Sequence, residues 1–186
     1  MNLSWTKAKS AAVSLLGLGL VMSVGLSESL QSQIRVSVAE SKSGSFQVQA
    51  SFFVTADRQR VWELLTDYDE IDHYVSSIQA SDLVERGDEQ ILVKQAGRLK
   101  WLMFQQDMAV LLRVTEVPNE SISFEDLSGD SFSLYAGSWQ LETRANGTLV
   151  KYQIESKPKF FVPPFISRTL FANQVREMLE QLRQRT

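Results

Sequence analysis

Residues 52–78 read FFVTADRQRVWELLTDYDEIDHYVSSI, and two changes of period inside this stretch decide the fold. Before it, Phe46, Val48, Ala50, Phe52 and Val54 alternate with Gln47, Gln49, Ser51 and Phe53, the period of a strand with one buried face. From Asp57 to Thr66 the period becomes helical and sets Val61, Leu64 and Leu65 on one face with Trp62 beside them. Asp57 suits the N-cap, because its carboxylate can accept from the unpaired amides of the first turn. A second helical turn follows Tyr68, and extended pattern resumes at Ile78. The stretch therefore predicts a strand, two short helices and a return to sheet.

Within it, Asp67, Asp69, Glu70, Asp72 and His73 crowd into seven residues. Carboxylates and an imidazole bind divalent cations, but a calcium loop needs a glycine at its bend and a bidentate glutamate at its end, and neither stands in register. The cluster reads as a solvated acidic turn, with no metal site expected. His73 is the only histidine, which excludes a serine–histidine or two-histidine site built by this chain alone.

Downstream the pattern is of strands. Val75 to Val84 and Gln90 to Ala96 flank a turn at Arg86-Gly87-Asp88-Glu89, and Gly97 to Phe104 reads as a basic and aromatic loop around Arg98, Lys100 and Trp101. Met108, Val110, Leu112 and Val114 alternate up to Pro118-Asn119, and Ile122 and Phe124 follow. Phe132, Leu134 and Ala136 alternate as far as Gly137, beyond which the inward parity passes to Trp139 and Leu141, as a bulge at the glycine would produce. Asn146-Gly147 is the strongest hairpin signal, and Val150, Tyr152 and Ile154 complete the last strand. Asn119-Glu120-Ser121 and Asn146-Gly147-Thr148 match the glycosylation sequon but are explained as turns. Finally Ile166, Leu170, Phe171, Val175, Met178, Leu179 and Leu182 fall at helical spacing, opposite Arg168, Asn173, Arg176, Glu177, Glu180 and Arg183. Pro163 and Pro164 suit the start of that helix, where a missing N–H removes no bond.

Composition narrows the chemistry. The 186 residues suffice for one domain with its own core. Without cysteine there is no disulfide, zinc–thiolate site or thiol nucleophile. A net charge of −3 gives no electrostatic case for nucleic acid. At the N-terminus Lys7 and Lys9 precede the apolar run Ala11 to Leu26. That is the layout of an export signal, and the run is short beside the roughly 20 apolar residues of a membrane span. Residues 1–29 are expected to be a signal peptide or anchor that makes the protein exported or membrane-associated. Residues 30–45 are expected to be a polar linker, and 46–186 the domain.

The order of elements and the motif Ala56-x4-Val61-Trp62-x2-Leu65-Thr66-Asp67-Tyr68-x2-Ile71-x2-Tyr74-Val75-x2-Ile78 resemble the START-like helix-grip superfamily, particularly its polyketide cyclase/dehydrase and coenzyme Q-binding branch. The matching layout runs from Phe46 to the C-terminus. Many relatives carry prolines after the Asp-Tyr pair, where this chain has Asp72 and Ser76. The resemblance implies an α+β fold: a curved antiparallel sheet of about six to seven strands wrapped around a long C-terminal helix, with two short helices after the first strand. It also implies an apolar cavity for a hydrophobic small molecule such as a lipid, isoprenoid quinone or polyketide.

The sequence offers walls for such a cavity in Val110, Leu112, Phe124, Phe132, Leu134, Trp139 and Tyr152 from strands, and in Phe171, Val175 and Met178 from the helix. The same residues serve equally as plain core. Non-catalytic binding without a cofactor is the preferred function. A cyclase or dehydrase would need an acid or base facing the cavity, for which Glu63, Asp107, Tyr135, Tyr152 and Glu155 are candidates that no spacing pairs. A protein-assembly module is a third possibility. Phe160, Phe161 and Phe165 beside Lys157, Lys159 and Arg168 could form a lip at a membrane surface, or could close the cavity from inside. Oligomeric state is not legible.

Overall fold

A computed structural model describes residues 33–87, 90–101 and 104–186, with backbone alone for 101 and 104. The expected signal or anchor segment, 1–29, lies outside the described residues. So do Asp88 and Glu89 of the expected turn.

Eight strands form one antiparallel sheet: β1 (Arg35–Glu40), β2 (Phe46–Val54), β3 (Ile78–Arg86), β4 (Ile91–Trp101), β5 (Phe104–Val117), β6 (Ser121–Asp126), β7 (Phe132–Arg144) and β8 (Gly147–Pro158), in the spatial order β1-β2-β8-β7-β6-β5-β4-β3. The helix α1 (Arg58–Thr66) and a 3₁₀ helix (Tyr68–His73) stand between β2 and β3, and α2 (Pro164–Arg183) ends the chain. This is the helix-grip arrangement. Alternation in β2 is as the sequence predicts, with Phe46, Val48, Ala50, Phe52 and Val54 buried. Asp57 caps α1, its Oδ1 accepting from the Arg60 N–H at 2.8 Å. Asn119 adopts φ 60° in the β5–β6 turn, and Gly147 opens β8 at φ 151° where an added Cβ would stand 2.0 Å from the Val54 carbonyl. Both sequon asparagines thus lie in turns.

Three expectations are corrected. Part of the supposed linker is a strand, because Ile34, Val36 and Val38 alternate toward the core and β1 pairs with β2 along its length; this supplies the eighth strand. The supposed loop at 97–104 belongs mostly to a hairpin, with β4 and β5 paired from Ile91↔Val114 to Trp101↔Phe104. The change of parity in β7 occurs not at Gly137 but between Phe132 and Leu134, where the register shifts by a bulge. Phe132 therefore faces inward and so do Tyr135, Trp139 and Leu141, while Leu134 turns outward and is 38% exposed. Gly137 has a different role. A Cβ there would stand 2.7 Å from Phe124 Cζ and 2.4 Å from the Gln153 carbonyl, so only glycine leaves room for that ring.

The core lies between the sheet and α2. Leu170, Leu179 and Leu182 of α2 are at most 2% exposed, and burying each such side chain contributes about 1.5–3 kcal/mol. The acidic residues of the 3₁₀ helix act locally: Asp69 Oδ1 accepts from the Leu83 N–H at 2.6 Å, and Glu70 meets His73 Nδ1 at 2.8 Å.

Candidate functional site

Two adjoining hollows lie under α2. The larger, about 140 Å³, is walled by Val110 and Met108 of β5, Phe132 of β7, Ile154 of β8, and Phe171, Gln174 and Val175 of α2, among others. The smaller, about 100 Å³, is walled by Leu65, Tyr68, Tyr74 and Val75 from the helical segment and by Leu112, Phe124, Trp139 and Leu182. Ile78, Gln95, Tyr135, Tyr152 and Met178 belong to both. A cavity of roughly 150 Å³ accommodates a benzene ring, and drug-sized guests occupy about 300–1,000 Å³. Each compartment as it stands suits one ring or a short chain. A larger guest requires the two to merge, and the unbranched Met178 between them is the side chain best able to rotate aside.

The strand and helix residues expected as walls fall as follows. Val110, Phe132, Phe171 and Val175 line the larger hollow, Leu112, Phe124 and Trp139 the smaller, and Tyr152 and Met178 both. Leu134 lines neither. It stands with Gln47, Gln49, Ser138 and Gln153 in a trough of about 550 Å³ on the opposite face of the sheet, because the bulge after Phe132 reverses its direction. That trough and a second one of about 420 Å³ around Arg35, Gln49, Gln140 and Lys151 exceed the hollows in volume. Their glutamines, serines and charges are already solvated, so they give an apolar guest little to gain.

Among the wall residues that sequence reasoning passed over, two are polar and common to both hollows, Gln95 and, as a lining group, Tyr135. Gln95 sits in the parity of Val93-x-Gln95-x-Gly97-x-Leu99 and gives its amide N–H to Ser81 Oγ at 3.1 Å; that alternation was the available signal. Tyr135 was hidden by the bulge.

The walls of both hollows are apolar or neutral, and no charged side chain lines either among the described residues. Of the carboxylates considered for catalysis, Glu63 is exposed on α1 and accepts from Gln59, Asp107 pairs with Arg98 on the surface, and Glu155 accepts from Ser45 Oγ at 2.8 Å. The Arg98 guanidinium holds the Asp107 carboxyl below its usual range. Burial, with the Asp126 carboxylate adding to it, pushes the Tyr135 hydroxyl up to about 12, and burial pushes Tyr152 well above the usual range. Both phenols stay protonated at neutral pH.

Where β8 leads into α2, Phe160 packs edge-on at 5.7 Å against Phe132, itself a wall of the larger hollow. Phe161 and Phe165 point away and are 74% and 84% exposed.

A family model described as polyketide cyclase / dehydrase and lipid transport matches residues 54–183. The chain belongs to this family. Its fold recurs in solved structures of low identity. A START superfamily protein from Mycobacterium smegmatis superposes with a TM-score of 0.65 at 14% identity, over 75% of this chain and 95% of that one. A STAR-related lipid transfer protein from Xanthomonas axonopodis gives 0.61 at 17%, over 80% and 97%. The Zhui aromatase/cyclase from Streptomyces sp. R1128 gives 0.59 at 15%, over 75% and 95%. No curated protein matches. Family membership thus fixes the helix-grip scaffold and its hydrophobic ligand-binding character, and the family spans names that denote transport and names that denote catalysis.

Proposed function

We propose that the protein binds and carries a hydrophobic small molecule, without transforming it, in the space between the sheet and α2. One observation carries this reading: the two hollows under α2 adjoin, share five wall residues and are lined without charge. A guest gains about 25 cal/mol for each Å² of apolar surface it buries there, and a few neutral polar groups orient it. The carboxylates that an acid–base mechanism would recruit are engaged elsewhere, which favours carriage over catalysis. Loading and release take place at a membrane surface, with Phe161 and Phe165 as the lip beside the exposed Lys157, Lys159 and Arg168. The run Ala11 to Leu26 supports an activity outside the cytoplasm or on a membrane.

Native mass spectrometry of protein purified from its own source is the test. An adduct that organic solvent releases as an apolar molecule is expected. Val175→Phe, which projects a ring into the larger hollow, is expected to weaken uptake of an apolar probe at least about tenfold, at an overpacking cost of about 1–3 kcal/mol of stability. Protein that carries no adduct, and whose Val175→Phe variant takes up the probe as the wild type does, would sink the reading.

A further inference from the structure

The face of the sheet turned away from α2 carries a row of neutral polar side chains. Strand pairing sets Ser37 of β1 beside Gln49 of β2, Gln49 beside Gln153 of β8, Gln153 beside Ser138 of β7, Ser138 beside Ser123 of β6, and Ser123 beside Thr115 of β5. Paired residues of neighbouring strands point to the same face of a sheet, and here every member is exposed except the half-buried Ser138. Strands lie about 4.8 Å apart, so the row extends over about 24 Å. Its middle members, Gln49, Gln153 and Ser138, line both troughs of that face and join them.

Charge narrows what this face can hold. Of the charged groups that line the troughs, Lys151 is engaged by Glu142, which also holds Arg144, and Glu155 accepts from Ser45 Oγ at 2.8 Å. Among the described residues that leaves Arg35, at one end. One cation is far short of the clustered basic surface that a nucleic acid requires. The row also contains none of the aromatic anchors on which protein interfaces are centred. What it offers is hydrogen bonding: Gln153 Nε2 donates to Ser138 Oγ at 3.0 Å, while the side-chain amides of Gln47, Gln49 and Gln140 have no protein partner among the described residues. Leu134, turned outward by the bulge, adds an apolar patch to the same floor beside Ala136 and Gly137.

We propose that this row binds a neutral glycan chain laid across the strands. A side-chain amide presents a donor and an acceptor side by side, and adjacent hydroxyls on a sugar ring, each able to donate and accept, match it. One face of a pyranose ring shows mainly C–H groups, which suits the ground around Leu134. The strand spacing is close to the length of one sugar in an extended chain, so successive units meet successive strands. Each contact exchanges a bond to water for a bond to sugar and gains little alone. Affinity therefore comes from chain length. The site lies on the opposite face from the hollows and stands independently of the binding reading above.

Cellohexaose, maltohexaose and chitohexaose, titrated into the full chain and followed by saturation-transfer NMR, test the proposal beside their disaccharides and the charged hexamer of galacturonic acid. At least one neutral hexamer is expected to bind at least about tenfold more tightly than its own disaccharide and than the charged hexamer. Gln49→Ala with Gln153→Ala should weaken that hexamer at least about tenfold. Because both glutamines are exposed, the melting temperature should hold; if it falls, Gln49→Ala alone, which breaks no side-chain bond, takes the place of the pair. Failure of every neutral hexamer to bind, or binding that the glutamine variants leave unchanged, overturns the site. So does self-association in sedimentation velocity that the same variants abolish, which would give the face to a second copy of the chain. None of these results bears on the hollows under α2.

Discussion

Burial raises the pKa of each of the four tyrosines in this chain. Desolvation is the largest cause in every case, Glu116 adds to it at Tyr68, and Tyr135 is pushed up to about 12. A group whose folded pKa exceeds its unfolded value stabilises the fold fully below the unfolded pKa, near 10 for tyrosine, and loses that contribution as pH rises through the folded one. A spectrophotometric titration should therefore show no phenolate near pH 10 in folded protein. Phenolate absorbance should instead rise together with the loss of near-ultraviolet circular dichroism at higher pH. One tyrosine ionising near pH 10 with the fold intact would contradict these burials. At this scale the sequence is only partly legible. The alternation Phe46 to Val54 names its inward residues without ambiguity, but one extra residue after Phe132 exchanges the directions of Leu134 and Tyr135, and no property of either side chain announces it.

Among the elements, the departure from the family pattern at Ser76 has a physical role. Its N–H donates to Gln181 Oε1 at 3.0 Å and its hydroxyl to Glu177 Oε1 at 3.0 Å, tying the loop before β3 to α2. A proline there could make neither bond. Tyr74, Val75 and Ile78 on one side of this seam, and Met178 and Leu182 on the other, wall the smaller hollow. We predict that Ser76→Pro loosens the seam, so that an apolar probe exchanges severalfold faster while its Kd changes little; stopped-flow dissociation measures it, and an unchanged off-rate rules the seam out as a way in. The elements themselves were legible where pattern and punctuation agree, as in α1 with its Asp57 cap and α2 behind its prolines. β1 was not, because Ile34, Val36 and Val38 are interleaved with Arg35 and Ser37 in a serine-rich stretch that resembles a linker. Only pairing with β2 and packing toward the core reveal it.

Taken whole, the molecule separates a neutral interior from an asymmetric exterior, with Phe161 and Phe165 bare at one end. If that end meets a membrane, Phe161→Ser with Phe165→Ser should lower binding to liposomes containing anionic lipid at least about tenfold, since each phenylalanine withdrawn from the interface forfeits on the order of 1 kcal/mol. Because both rings are exposed, the melting temperature should stay put. Unchanged sedimentation with liposomes would reject the lip. The order of strands has a further effect, on the making of the protein. β2 lies between β1 and β8, so residues 46–54 wait for residues 148–156 before that side of the sheet can close. On the ribosome β2 can pair with β1 at once, but its other edge stays without a mate until almost the whole chain has emerged. Late closure of this kind leaves that edge of β2 open to chaperones until synthesis is nearly over.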